Sequence, residues 1–199
     1  MTRLFTRLSM AFVALALTAT TSYASPITYT VSRVIGPGSV TGTITTDGVL
    51  GVLGSSNVLG WTLTLNDGTS AFTLFGPTSG NNSQVLVQGS SFTATSSGLF
   101  FNYSGSGIVL FQNPFIGSSL NFWCLDNITA ACTGAHASAD IVTTSGSFAS
   151  VFVTRSGTQQ VATAVAPTPD AAPVPEPTTW VLMGIGLAGL AGRRLARRR

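Results

Sequence analysis

Apolar and polar positions alternate along most of the middle of this chain, with a period of two. Ile27, Tyr29 and Val31 alternate with Thr and Ser, and Val40, Gly42 and Ile44 do the same. Trp61, Leu63 and Leu65 share one face with Thr62 and Thr64 on the other; Phe72 and Leu74, Val85 and Val87, and Leu99, Phe101 and Tyr103 continue the pattern. Such alternation predicts half-buried β-strands. Residues 108–111, 120–125, 139–142 and 148–153 read as further short strands, the first of them continuously apolar. Turn chemistry separates the runs: Asp47-Gly48, Asn66-Asp67-Gly68, Gly76-Pro77, Gly80-Asn81, the 104–107 Ser/Gly stretch and Asn113-Pro114. No window carries a 3.6-residue period. The expected fold is all-β, an antiparallel β-sandwich or jelly-roll-like body over residues 25–164.

The two ends follow other patterns. Arg3 and Arg7 precede an apolar stretch at 8–17, and Ser22-Tyr23-Ala24 supplies small residues before a cleavage point. That is the layout of a secretory signal peptide, residues 1–24, expected to form a helix and to be cut between Ala24 and Ser25 by signal peptidase after Sec export. Residues 165–177 hold five prolines and predict a stiff, extended linker. The strictly apolar positions 180–192 would make a helix of about 20 Å, short of a hydrocarbon core of about 30 Å. Snorkelling of Arg193 and Arg194 extends the segment to 178–196 and about 28 Å. Residues 178–199 therefore predict a transmembrane helix with Trp180 at one interface. Arg193, Arg194, Arg197, Arg198 and Arg199 would hold the C-terminus on the cytoplasmic side and leave the body outside. The GxGxxG at 184–189 lacks the strand and acidic residue that dinucleotide binding requires.

Val174-Pro175-Glu176-Pro177, the glycine-bearing apolar helix and the terminal arginines together resemble the PEP-CTERM sorting signal. The resemblance implies processing by an exosortase, a multi-pass membrane enzyme of Gram-negative bacteria. Cleavage would fall near Pro175-Glu176-Pro177, after a transient stay in the inner membrane, with delivery to the cell surface or extracellular matrix, the setting of biofilm and exopolysaccharide. Body segments such as 38–48, Trp61 to Leu65 and Thr73-Leu74-Phe75-Gly76-Pro77 are similar to those of a group of PEP-CTERM proteins, a likeness that implies no activity.

Composition narrows the function. Only 8% of residues are charged and lysine is absent. The formal charge of +3 comes from the two ends, because residues 25–166 hold Arg33 and Arg155 against Asp47, Asp67, Asp126 and Asp140. Such a body cannot neutralise a run of phosphates, which excludes nucleic acid as a partner. Cys124 and Cys132, the only cysteines, are expected to form a disulfide after export, worth about 2–3 kcal/mol. No catalytic residue, metal or cofactor is expected, and the role read from the chain is structural or adhesive. Three alternatives stand beside it. The first is an exopolysaccharide-binding module using Trp61, Trp123, Tyr29 and Tyr103, although Trp61 shares a face with core leucines. The second is a secreted hydrolase using His136 with Asp126 or Asp140. The third is self-assembly through residues 49–53. Asp47 and Asp67 fit turns, with Ca²⁺ as a secondary reading. Asn102 and Asn127 head glycosylation sequons of the kind that arise by chance.

Overall fold

A computed structural model of the chain describes residues 24–77, 80–128, 132, 138–144 and 151–166. The predicted signal-peptide helix, apart from Ala24, the predicted helix at 178–199 and most of the Pro-rich linker lie outside the described residues. The chain divides into two units after Val165, and the strands belong to the first.

The described body is all-β. Strands β1 (Ile27–Ile35), β2 (Gly38–Thr46), β3 (Gly51–Val52), β4 (Val58–Asn66) and β5 (Ala71–Phe75) are followed by β6 (Gln84–Gly89), β7 (Phe92–Ala94), β8 (Gly98–Asn102) and β9 (Gly107–Gln112). Then come β10 (Phe122–Asp126), β11 (Ala139–Thr143), β12 (Val151–Thr154) and β13 (Thr158–Ala164). They form an eight-stranded sheet, order β3-β7-β8-β13-β1-β2-β4-β5, and a five-stranded sheet, order β12-β11-β10-β9-β6, every pairing antiparallel.

The inward rows of the two sheets share one core. Tyr29, Val31, Val40, Ile44, Leu63 and Leu65 from the larger sheet meet Val109, Phe111, Trp123, Leu125 and Val142 from the smaller. Trp61 meets Phe111 edge-on at 5.3 Å, and Phe111 stacks on Trp123 at 5.7 Å, a chain of rings running from one sheet into the other. The outward rows of β1, β2, β4 and β5 are mostly Thr and Ser, with Val34 and Phe75 among the exceptions, and some are hydrogen-bonded across strands, as Thr28 is to Thr45 at 2.9 Å.

The smaller sheet departs from simple alternation, because β9, β10 and β11 are buried on both faces. Ile108, Leu110, Phe122, Cys124, Ala139 and Ile141 form a second apolar cluster on its outer side. A strand covered on both faces reads as a continuous apolar run, which is how residues 108–111 read. β13 gives no such signal. Its register slips between Gln160 and Ala162, so the apolar positions change face mid-strand, yet it lies between β8 and β1 near the middle of the larger sheet.

Two strands that end their sheets are closed by neutral side chains. The Asn82 amide imitates a strand against β5, accepting from Phe75 N–H at 2.8 Å and donating to Thr73 O at 3.2 Å. Ser55 Oγ accepts from Val87 N–H on β6 at 2.8 Å and donates to Val87 O at 3.4 Å. Edge groups satisfied in this way are withdrawn from pairing with other chains. The 49–53 window flagged for self-assembly contributes only the two-residue β3.

Gly42, in the centre of β2, has φ 138°, and a Cβ there would sit 2.0 Å from Thr62 O. Gly51 also has positive φ, 101°, but nothing lies within 4 Å of its would-be Cβ. Gly42→Ala is expected to lose more than about 1 kcal/mol and to lower Tm well beyond Gly51→Ala, as measured by thermal melts of the two variants.

Candidate functional site

Arg33 stands on the inward row of β1, where alternation would place an apolar side chain. It reaches across to Asp140 on β11, donating to Oδ2 through Nη2 at 2.7 Å and Nε at 3.0 Å, while Nη1 donates to Gln160 O at 3.1 Å. The other carboxylate oxygen accepts from Trp123 Nε1 at 2.9 Å. Arg155 lies 3.8 Å from Oδ2 and donates to Val34 O at 2.8 Å. Asp140 is fully buried, and its charge is balanced from the opposite sheet. Tyr103 is buried alongside; burial, and after it the Asp140 carboxylate, raise its hydroxyl pKa far above the ordinary value against the opposing pull of Arg33 and Arg155. The phenol therefore stays protonated. With both Asp140 oxygens engaged and buried, this cluster clamps two sheets together and aims no carboxylate at solvent, while the Arg33 and Arg155 side chains remain partly exposed.

Asp126 closes β10 and is also fully buried. It accepts from Ile128 N–H at 2.6 Å and Cys132 N–H at 3.3 Å, and the Cys124–Cys132 disulfide ties the same loop back to the strand. Cys124, Asp126 and Cys132 bring potential ligand atoms within 4.8 Å of one another, but the disulfide consumes both sulfurs, so no thiolate is present to bind a metal. His136 lies outside the described residues; the two aspartates proposed as its partners are each committed to other groups. Beside the disulfide, on the outer side of β6, β9 and β10, lies a cleft of about 300 Å³ lined by Leu86, Ile108, Leu110, Ile116, Phe122 and Ile128. Gln88, Gln112 and Ser119 also line it, and none of its lining residues is charged, so it offers apolar and amide or hydroxyl contacts but no acid or base.

The four aromatic residues considered for sugar stacking are core residues: Tyr29, Trp61, Trp123 and Tyr103 are all buried. They form no surface platform. Trp61 spends its N–H on Ser83 Oγ at 2.9 Å. Asp47 caps its own turn, accepting from Val49 N–H and Asn57 Nδ2. Asp67 accepts from the backbone N–H groups of Thr69 and Ser70 and from the hydroxyls of Thr69 and Thr144. A ring of donors favours an anion, not a Ca²⁺ ion competing for the same oxygens, so turn formation accounts for both aspartates. Asn127 holds Ser91 Oγ and Asn102 O with its amide nitrogen, which withdraws that sequon from modification. Arg33 and Ser55 carried no signal in the sequence, because their partners lie 32 to 127 residues away; Asn82 meets Phe75 and Thr73 only 7 and 9 residues back, but no alternation marks a lone amide as a strand mimic.

Ala24 and Ser25 are exposed, just before β1. Val174, Pro175, Glu176, Pro177, Trp180, Arg193, Arg194, Arg197, Arg198 and Arg199 lie outside the described residues. Among the described residues no helix is long and apolar enough to cross a membrane.

Removing one member of the clamp strands a buried charge. Arg33→Met, which leaves the fully buried Asp140 carboxylate without its bidentate partner, is expected to cost about 3–5 kcal/mol, whereas Arg33→Met with Asp140→Leu together should restore much of the loss; chemical denaturation of the single and double variants measures this. For Asp67, burial raises the carboxyl pKa, but the hydrogen bonds from Thr144, Thr69 and Ser70 outweigh it and hold the group well below the ordinary carboxylate range. Its folded pKa lies below its unfolded one, so it stabilises the fold at neutral pH, and that contribution falls away as pH drops below about 4. Asp67→Asn should therefore be less stable than the parent at pH 7, and the gap should narrow progressively in melts taken toward pH 2.

Comparison with known proteins places one recognised element in the chain. The PEP-CTERM protein-sorting motif matches residues 173–199, the segment that holds Glu176, the apolar run and the terminal arginines. No curated protein and no solved structure matches the chain. The motif supports export, transient membrane anchoring through the C-terminal segment and processing by an exosortase-type membrane enzyme. The chain is thus one that carries a PEP-CTERM protein-sorting motif at residues 173–199.

Proposed function

We propose that the body is the non-catalytic cargo of this sorting tail: an exported β-sandwich delivered to the cell surface or extracellular matrix, where it serves a structural or adhesive role. The sorting motif at residues 173–199 carries the reading. The state of the carboxylates supports it, because Asp126 and Asp140 are buried against structural partners and Asp47 and Asp67 cap turns. The disulfide suits an oxidising compartment. A hydroxyl-rich outer face with little charge suits a hydrated matrix better than a charged ligand.

In this reading the Sec machinery exports the chain and signal peptidase removes residues 1–24. The segment from about 178 onward then holds the protein in the inner membrane until an exosortase-type enzyme cuts near Pro175-Glu176-Pro177. The test is the intact mass of the protein recovered from a host with and without its sorting enzyme. The expected product begins at Ser25 and stops near Pro175 only when the enzyme is present. A C-terminus that still carries the arginines in both strains would overturn the assignment.

A further inference from the structure

The two ends of the described body leave it side by side. β1 and β13 are antiparallel neighbours, with Tyr29 opposite Ala164, and the Val165 N–H donates to Thr28 O at 2.9 Å. The turn after β2 shares this pole, because a Cβ on Gly48 would meet Ser25 O at 2.0 Å. So does the β7–β8 turn, where Ser97 O accepts from the Ala164 N–H at 2.9 Å. Here four aliphatic side chains face solvent: Val49 (45%), Leu50 (54%), Val52 (56%) and Val165 (48%). Within segments 24–27, 46–58, 94–98 and 163–166 the one charged residue is Asp47, whose carboxylate is held by Val49 N–H and Asn57. Arg33 and Arg155 lie toward the other end of the larger sheet, where Arg155 holds Val34 O, and Asp67 flanks Gly38 at the start of β2.

We propose that this exit pole is a lipid-contacting surface, with Val49, Leu50, Val52 and Val165 resting in the bilayer interface while the sorting segment anchors the chain. The inference rests on the anchoring described under Proposed function and adds the orientation of the body to it. Single exposed aliphatic residues are ordinary, but here four stand on segments that share the pole at which the described body ends. The patch is small and has no basic residue around it to attract anionic lipid, so it would not hold a free protein on a bilayer. The tether changes that balance. Residues 166–179 would span about 43 Å as polyproline II, which keeps the bilayer at a high effective concentration and lets a weak contact persist. Cutting the linker removes the tether, and the same weakness then allows the body to leave. The pole is thereby a contact that holds only before sorting, and it keeps the linker close to the membrane surface, where a membrane enzyme acts.

The test uses the full chain in vesicles of phosphatidylethanolamine and phosphatidylglycerol. Leu50→Cys and, separately, Val34→Cys carry an environment-sensitive NBD probe; the native cysteines form a disulfide and take no label. Val34 is the control, 72% exposed and toward the opposite end. In chains that co-sediment with vesicles, the probe at position 50 is expected to shift to the blue, brighten several-fold and be quenched by nitroxide-bearing lipids, while the probe at 34 does none of these. No response at 50 in vesicle-bound chains, or an equal response at both positions, overturns the lipid-contacting pole and leaves the anchoring intact. Chains that stay in the supernatant overturn the anchoring, and the oriented contact with it.

Discussion

This body has to close two β-sheets with almost no charge available. Backbone N–H and C=O groups at a sheet edge demand partners, and many proteins blunt such edges with lysine or buried charge. A chain without lysine uses neutral groups instead. The Asn82 amide lies against β5 as a one-residue strand, and Ser55 Oγ both accepts from and donates to β6. Aspartates are spent the same way. Asp47 and Asp67 gather the N–H groups of their own turns, and Asp126 gathers those of the loop that the disulfide pins. Each carboxylate serves as a polar staple.

Arg33 and Asp140 are the exception, and their placement explains why an ion pair was kept. They join the inward row of one sheet to that of the other, so the pair fixes how the two sheets sit as well as holding them together. Trp123 connects this clamp to the aromatic stack through its indole N–H, and Phe111 carries the stack on to Trp61 of the larger sheet. Charge and aromatic packing thus bridge the same interface at different points. The distribution also leaves the exit pole nearly free of charge. Among the described residues Asp47 is the one ionic group in the segments named at that pole, and its carboxylate is taken up by Val49 N–H and Asn57.

The strands along residues 27–31, 40–44, 61–65 and 99–103 were legible because their alternation matches a sheet with one buried face. Residues 120–125 were legible only in part: β10 starts at Phe122, while Leu120 is exposed in the preceding loop beside Ser119 and Asn121, both at positive φ. β13 was missed because its bulge breaks the alternation and its early positions are glutamines. Trp123 and Tyr103 were ambiguous as aromatic residues in short strands. Only the partner sheet makes them interior.

Alternation, turn residues and the compositional break at the first proline of the linker depend on near neighbours, so the sequence by itself determined an all-β body and marked off the tail that bears the sorting motif. Contacts between distant residues are different. That Arg33 meets Asp140 at a separation of 107, that β9 to β11 are covered on both faces, and that the two ends of the described body lie at one pole follow from register and sheet packing. Those were decided by tertiary structure alone, because no local pattern encodes which far-off residue a side chain will find.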